Sequence, residues 1–295
     1  MSVPVSAVNT AASGAAKPAG GLRAFLGDPM GLFGLAVAVL LILTALLAPW
    51  IAPYDPAALD VPAKLQGPTA AHWLGTDELG RDVLSRAIWG GRIALTVSLV
   101  AAVLSVLIGA LLGMLAAMGP RWLDYLLMLG FDTVRSYPVI ILALAIGPIF
   151  GGGMVVLLGL LVATSVPYYA RVMRASVLAQ SSAEYVEALR AMGMGRVRIV
   201  LRHILPNVIG PILIIASMDI PAYITAEAGI SFLGVGVKAP ATSWGLMLDQ
   251  GFRYVGHTPW LVIAGGLPLI LATLGFTFLG EALRDAFDPK LRRRG

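Results

Sequence analysis

Serine, histidine and carboxylate side chains are the groups in this sequence that could form a hydrolytic active site. A serine hydrolase places its nucleophile in a Gly-x-Ser-x-Gly turn, but Gly229-Ile-Ser231-Phe-Leu-Gly234 misses that spacing by one residue. An aspartyl protease needs two carboxylates that share one site, and no motif supports such a pair for Asp132 and Asp219. The three histidines lie outside the long apolar segments: His72, His203 and His257. We therefore assign no catalytic residue, and an intramembrane enzyme is a weak alternative.

A phosphate-binding loop would need a lysine between a glycine and a serine or threonine. No lysine of this chain has that setting: Lys17, Lys64, Lys238 and Lys290. The chain therefore cannot hydrolyse ATP by that route. It contains no cysteine, which excludes a disulfide framework and thiolate metal ligation. We find no cluster of metal-ligand residue types and predict neither a metal nor a cofactor in this chain.

Residues 181–206 form a charged interval between two long apolar segments. Ser181 and Glu184 have the spacing of a helix-capping box, and Gly193 or Gly195 can end the helix in a left-handed turn. Three residues at i, i+4 and i+7 predict one narrow apolar face: Tyr185, Leu189 and Met192. The interval thus predicts a short amphipathic helix that a partner could contact, with an ordinary lipid-surface helix as the alternative.

The composition indicates a membrane protein. Hydrophobic residues make up 58% of the chain and charged residues only 13%, and the mean hydropathy is +0.85, which is too apolar for a soluble globule. A helix needs about 20 apolar residues to cross the hydrocarbon core. Six segments, the fourth of them short, predict an all-α protein with six transmembrane helices at about 31–53, 93–118, 125–150, 154–171, 208–230 and 260–283.

The distribution of basic residues predicts the orientation of these helices. Six spans place both ends of the chain on one side, together with the loop 172–207 and fourteen of the Lys and Arg residues, against six on the other side. By the positive-inside rule, the side with both termini is cytoplasmic. The Ala/Gly/Ser-rich residues 1–30 predict a disordered N-terminal tail, and residues 284–295 a short C-terminal tail.

Six charged residues fall within the predicted spans; Arg171 and Glu281 lie at span ends, and the other four lie further inside. Asp132 and Arg135 are at i, i+3, so we favour an ion pair between them over a role in a solute path. Asp219 has no basic partner in the sequence, so it either faces a solute path or pairs with a partner subunit. Glu227 is expected near the outer surface, where its charge stays hydrated. Three prolines are expected to kink spans: Pro138, Pro167 and Pro221.

Two polar segments, 54–92 and 231–258, are predicted to form the outer loops. Within the first, residues 72–92 mix apolar and charged side chains, which predicts a helix lying at the membrane interface. Its three arginines alternate with acidic residues and could pair with them: Arg81, Arg86 and Arg92 with Asp77, Glu78 and Asp82. In the second loop, Trp244 is expected to be an aromatic anchor at the membrane interface.

Several motifs resemble the permease subunits of bacterial ABC importers. Glu187-Ala188, Gly193 and Leu205-Pro206 are similar to the EAA loop of these permeases, although Leu189 replaces an alanine and His203 an isoleucine. Two outer segments are similar to permeases that import dipeptides, oligopeptides or nickel: His72 to Arg92, and Glu227 to Gly236 followed by Ser243-Trp244-Gly245. With the spans between them, the motifs cover most of residues 30–290.

This resemblance implies a type I ABC-importer fold in a bacterial inner membrane, working by alternating access. It implies a second permease subunit, two ATP-binding subunits that hold ATP and Mg²⁺, and an extracytoplasmic solute-binding protein, but no nucleic acid. The residues implied to contact the ATP-binding subunits are Glu184, Tyr185, Glu187, Ala188, Leu189, Met192, Gly193, Arg198, Leu205 and Pro206. Candidates for the solute path or its gate are Asp132, Arg135, Asp219, Glu227 and Trp244. A secondary transporter or channel without ATP-binding subunits is the alternative. The sequence does not distinguish peptide from nickel or another small solute, and peptide is the default because it is the commonest cargo of the family.

Overall fold

The computed structural model describes residues 25–287, and within that range every regular element is a helix. The predicted tails 1–30 and 284–295 lie largely outside the described residues. The helices are α1 (Pro29–Ile51), α2 (Val83–Met118), α3 (Arg121–Arg135), α4 (Val139–Phe150), α5 (Met154–Ser181), α6 (Glu184–Ala191), α7 (Arg196–Phe232), α8 (Trp244–Arg253) and α9 (Trp260–Phe287). A short 3₁₀ turn, Val61–Ala63, lies in the loop between α1 and α2.

Five of these helices are long and apolar enough to cross a membrane: α1, α2, α5, α7 and α9. The prediction of a continuous third span at 125–150 is wrong, because α3 and α4 meet at an angle of 89°. The break has a local cause. Pro138 disfavours helical backbone at the residue before it, and the Ser136 N–H and hydroxyl both donate to the Asp132 carbonyl, at 3.0 and 2.8 Å, closing α3. Counted together, the two helices make a sixth span.

Three of the long helices begin or end well beyond the predicted spans. The α2 helix begins at Val83 rather than residue 93, because the Asp82 carboxylate accepts the Ser85 N–H at 2.7 Å and caps it there. Residues 83–92 therefore extend a span, and the predicted separate interfacial helix over 72–92 is wrong. Likewise α5 runs to Ser181 and α7 begins at Arg196, so the predicted loop 172–207 is mostly helical.

The N-terminal side of α1 is ordered from residue 25, so the predicted disorder is wrong for residues 25–30. Asp28 caps α1 by accepting the Met30 and Gly31 N–H groups, each at 3.1 Å. Phe25 is buried against Ala282 near the end of α9. The start of α1 and the end of α9 therefore lie at the same end of the molecule.

The packing centres on α2 and α5, which contact each other more extensively than any other pair of described helices. Gly109 and Gly113 of α2 make this possible. A Cβ atom at Gly109 would lie 2.6 Å from the Cβ of Tyr169, and one at Gly113 would lie 2.9 Å from the Cβ of Met173. Small residues four apart let two membrane helices approach closely. The α7 helix packs against both α2 and α9, and α9 also packs against α1.

Candidate functional sites

The short helix α6 begins differently from the prediction. Ser181 does not cap it, because α5 continues through Ser181 and the serine hydroxyl donates to the Val177 carbonyl at 2.7 Å. A serine near the end of a helix readily makes this bond to the carbonyl four residues earlier. Ala183 occupies the cap position of α6 and makes no side-chain bond there. The predicted capping box between Ser181 and Glu184 is therefore wrong.

The buried face of α6 also differs from the predicted stripe. Val186, which the sequence analysis did not select, is fully buried, and Leu189 is partly buried beside it. Tyr185 and Met192 are 39% and 72% exposed. Val186 is part of a buried apolar group from four helices, here named the α6 cluster: Val106 and Ala110 (α2), Met173 and Val177 (α5), Val186 (α6) and Ile204 (α7). The α6 helix is thus fixed to three long helices through one side only.

The predicted left-handed stop of α6 is at Gly193, which has a φ of +82°, whereas Gly195 has a φ of −68°. The Gly193 N–H donates to the Arg190 carbonyl at 2.9 Å and the Met194 N–H to the Leu189 carbonyl at 3.1 Å. These two bonds form a Schellman motif. Met194 and Leu189 both pack on the α6 cluster, which supplies the hydrophobic contact that accompanies this motif. The motif fixes the direction in which the chain leaves α6.

The remaining predicted contact residues form the outward side of this region. Six of them are exposed: Glu184, Tyr185, Glu187, Ala188, Met192 and Arg198. Within residues 25–287 neither glutamate forms an ion pair. Leu205 is half-buried on the α6 cluster and Pro206 is exposed. Because Pro206 cannot donate to the carbonyl four residues earlier, the helix widens just before it into a π turn at Val200–Ile204.

Asp132 and Arg135 do not pair as predicted. Asp132 instead binds Arg171 of α5. Two turns earlier on α3, Asp124 accepts two bonds from Arg174, at 2.6 Å to Nε and 2.5 Å to Nη2. Spacing within one helix predicts only pairs on that helix, so it could not show that the partners of Asp124 and Asp132 lie on α5. The two pairs hold α3 against α5 and leave Arg135 without an ion pair in the described part of the chain.

Asp219 and Arg135 line the same cavity, which has a volume of about 430 Å³. Its other polar lining residues are Thr164, Ser165, Tyr168 and Tyr223. The Asp219 carboxylate accepts a hydrogen bond from the hydroxyl of the buried Tyr169, at 2.7 Å. Asp219 and Tyr223 belong to one face of α7, with Ala222 and Ala226 between and beyond them. This face is a polar strip within a membrane-spanning helix.

Glu227 is not hydrated near the outer surface as predicted; its exposure is 0%. Its carboxylate accepts the Ser231 hydroxyl at 2.8 Å, and the Ser231 oxygen accepts the Val237 N–H at 3.1 Å. The α8 helix covers this position, since Gly245 packs directly on Ala228 of α7. Through Ser231, Glu227 therefore stabilises the turn that follows α7.

Trp244 is likewise not an anchor at the membrane surface, because its exposure is 2%. Its indole N–H donates to the Ala87 carbonyl at 2.9 Å, and its ring lies against Gly90 and Gly91 of α2. These glycines leave the space that the indole fills. Trp244 thus joins α8 to the first turns of α2.

A buried charge cluster joins the loop before α2 to α8. Asp77 accepts bonds from Arg81, at 2.6 Å, and from Arg86. Arg86 also donates to Gln250 Oε1 at 2.6 Å, and Glu78 accepts from Arg81 at 3.0 Å. The predicted pairing of Arg81 and Arg86 with the nearby acidic residues is confirmed. Arg92 does not form the predicted ion pair; its guanidinium carbon lies 5.3 Å from the centre of the Trp89 ring.

Comparisons with known proteins agree with this architecture. Residues 109–293 match the family described as "Binding-protein-dependent transport system inner membrane component", and residues 20–68 match the N-terminal transmembrane domain of oligopeptide transport permease C. A dipeptide transport system permease of Alkalihalophilus pseudofirmus is 36% identical, with 90% of this chain and 87% of the relative covered. A di/tripeptide transport system permease of Pseudomonas aeruginosa is 38% identical, with 92% and 91% covered.

Among solved structures, the inward-facing MetNI methionine ABC transporter contains a chain with the same fold. The TM-score is 0.51 at 23% identity, and the likeness covers 69% of this chain and 96% of that chain. The helices described above therefore have the type I ABC-importer permease fold. With both family matches and the full-length relatives, this chain belongs to the inner-membrane components of binding-protein-dependent transport systems, the permease subunits of ABC importers.

Proposed function

We propose that this chain forms one half of the translocation path of an ATP-driven importer of di- and oligopeptides. Relatives named as dipeptide and di/tripeptide permeases match about nine-tenths of it, which supports peptides over nickel as the cargo. A second permease subunit would form the other half of the path. Two ATP-binding subunits would hold ATP and Mg²⁺, and an extracytoplasmic solute-binding protein would deliver the peptide.

The proposed orientation places both termini and α6 in the cytoplasm. The basic residues favour that side, as counted above, and the contact of Phe25 with Ala282 puts the two ends of the helical domain together. The α6 helix follows the end of α5 and carries Glu184, Glu187 and Arg190 exposed to solvent. An ATP-binding subunit could therefore reach it.

The geometry of α6 is the observation that carries the proposed coupling. Val186 and Leu189 attach the helix to the α6 cluster, while its opposite side is free. A displacement of α6 by an ATP-binding subunit would therefore be passed to α2, α5 and α7, the helices that contribute to the cluster. By this route ATP binding would switch the path between its inward-open and outward-open states. The free energy available for this switch cannot exceed the difference between the two states in the free energy of contact of α6 with the ATP-binding subunit.

Charge reversal on α6 tests this function in membranes that contain the whole transporter. We expect Glu187→Lys to reduce both peptide uptake and the recovery of ATP-binding subunits with the tagged chain, because it reverses an exposed charge that forms no ion pair within residues 25–287. Glu281→Lys, an exposed acid of α9, is the matched control and should reduce neither. Unchanged recovery and uptake with Glu187→Lys would contradict the docking role.

A further inference from the structure

Two cavities of different chemistry lie along the membrane-spanning helices. The larger, about 660 Å³, lies between α2, α3 and α5 and is lined only by apolar residues and glycine. The smaller, about 430 Å³, lies between the α3–α4 break, α5 and α7 and contains two charged and four hydroxyl-bearing residues. Polar groups in a membrane segment face a partner or a water-filled path, because burying them in lipid is costly. Of these two cavities, the smaller therefore suits a polar solute.

The Asp219 carboxylate is the uncompensated negative charge of this smaller cavity. The Tyr169 hydroxyl, which donates a hydrogen bond to Asp219, carries no charge. Within residues 25–287, no Arg, Lys or His forms an ion pair with Asp219. An ionised carboxylate within a membrane is costly without a counter-charge, so a cation that enters the cavity would stabilise its charged form. A primary ammonium group, with three N–H donors, fits this requirement.

Arg135 is the uncompensated positive charge of the same cavity. It has no ion pair in the described residues because Asp132, the acid nearest in sequence, binds Arg171. Its guanidinium presents five donors in a planar fork, which matches the two oxygens of a carboxylate. Asp219 and Arg135 also do not form an ion pair with each other. The cavity thus offers one free anion and one free cation to a single solute.

We propose that this cavity binds the two charged ends of a short peptide as it crosses the membrane. Asp219 accepts hydrogen bonds from the peptide's terminal ammonium, and Arg135 donates to its terminal carboxylate. The proposal rests on the peptide-import function given above and adds to it a specific contact for each terminus. It makes the cavity selective for short zwitterionic peptides over analogues that lack one terminal charge.

The first experiment measures uptake of radiolabelled Ala-Ala by cells with the complete transporter, and compares Asp219→Asn with Tyr169→Phe. Asparagine can still accept the Tyr169 hydrogen bond but carries no charge, whereas Tyr169→Phe removes that bond and leaves the charge. We expect Asp219→Asn to lower uptake about tenfold or more, as losing a charge-assisted hydrogen bond predicts, and Tyr169→Phe to lower it less than about threefold. Normal uptake with Asp219→Asn, or equal losses in both variants, would overturn the proposal.

The second experiment uses the exposed Arg135, where substitution does not disturb the core. Uptake of labelled Ala-Ala and uptake of its labelled C-terminal amide are measured separately, each at a concentration that saturates the solute-binding protein, and their ratio gives the preference. Arg135→Gln should reduce the preference for the free acid about tenfold relative to the wild type, whereas Asp219→Asn should leave that preference unchanged. Any preference of the solute-binding protein is common to all variants and cancels. An unchanged preference in Arg135→Gln overturns the inference about the cavity alone, whereas a wild-type transporter that takes up no Ala-Ala overturns the peptide function as well.

Discussion

At the scale of single residues, Trp244 shows how much of the outer half depends on one side chain. Its indole fills the space beside Gly90 and Gly91 and donates to the Ala87 carbonyl. We expect Trp244→Ala to cost about 3–5 kcal/mol of stability, because it leaves a large buried cavity. Trp122→Ala, at a position 66% exposed, is the control with a small expected effect. Thermal unfolding of the detergent-solubilised protein measures both, and equal midpoints would contradict the buried role.

Asp77 is a second residue whose loss should be severe. It is fully buried and is the shared acceptor for Arg81 and Arg86. Removing one member of a buried ion pair leaves an uncompensated charge and costs about 3–5 kcal/mol, so Asp77→Ala should lower the unfolding midpoint strongly. Replacing Arg86 with methionine in the same chain should recover part of the loss.

The control for this charge cluster is the exposed pair of Asp249 and Arg253, at 3.0 Å. Because the Arg253 side chain is 69% exposed, this pair contributes less than about 1 kcal/mol. Asp249→Ala should therefore lower the unfolding midpoint far less than Asp77→Ala. Similar losses in the two variants would show that burial of the cluster does not stabilise the fold.

Sequence spacing predicted some residue contacts and missed others for a consistent reason. The left-handed turn at Gly193 and the pairing of Arg81 and Arg86 depend on neighbours within one or two turns, so local patterns reveal them. The partners of Asp132 and Trp244 come from other helices, and local spacing cannot specify those. Arg135, three residues after Asp132, suggested an ion pair within α3, but Asp132 binds Arg171 of α5 instead.

At the scale of helices, the close packing of α2 on α5 gives a direct test. A side chain at Gly113 would collide with the α5 backbone and with Met173, so Gly113→Val should separate the two helices and destabilise the chain. Gly159→Val on α5 is the control, since nothing lies within 4 Å of its added Cβ. We expect a lower unfolding midpoint and less protein recovered from membranes for Gly113→Val alone. Equal recovery of the two variants would contradict the close approach.

The end of α6 gives a test that separates coupling from stability. Gly193 has a positive φ, which costs other residues about 1–2 kcal/mol, and it closes the Schellman motif. Gly193→Val should therefore misdirect the chain after α6 and lower uptake, while the long helices remain packed. Gly195→Ala, at a residue with negative φ and open space around it, should transport normally. Reduced uptake in both variants would indicate that the turn geometry is not the cause.

The sequence predicted which segments form the long helices, because this depends on hydrophobicity. It predicted the ends of those helices poorly, because these depend on capping residues and prolines. Apolar length identified the long spans, because roughly 20 apolar residues have few other stable environments. It could not place the start of α2 at Val83, since Asp82 sets that boundary through its cap. Nor could it show that Pro138 breaks the third segment by 89° rather than bending it slightly. That angle depends on how α3 and α4 pack against α5.

At the scale of the whole molecule, the two ends of the bundle are organised differently. At one end, the charge cluster and Trp244 join α2 to α8 and fix that region firmly. At the other end, α6 is attached by one apolar face and leaves its charged side open. Between them, the polar face of α7 carries Asp219. This arrangement suits a subunit that receives a displacement at one end and changes access to a site near its middle.

The absence of cysteine from the chain allows a direct test of its orientation. Trp73 is 69% exposed in the loop before α2, and Met192 is 72% exposed at the end of α6. Because a membrane-impermeant maleimide reaches only the outer face of an intact inner membrane, we expect it to label Trp73→Cys in spheroplasts. Met192→Cys should react only after the membrane is permeabilised, and the unsubstituted chain should not react at all. Labelling of Met192→Cys in intact spheroplasts would place α6 outside, where no ATP-binding subunit could contact it, and would contradict the proposed mechanism of coupling.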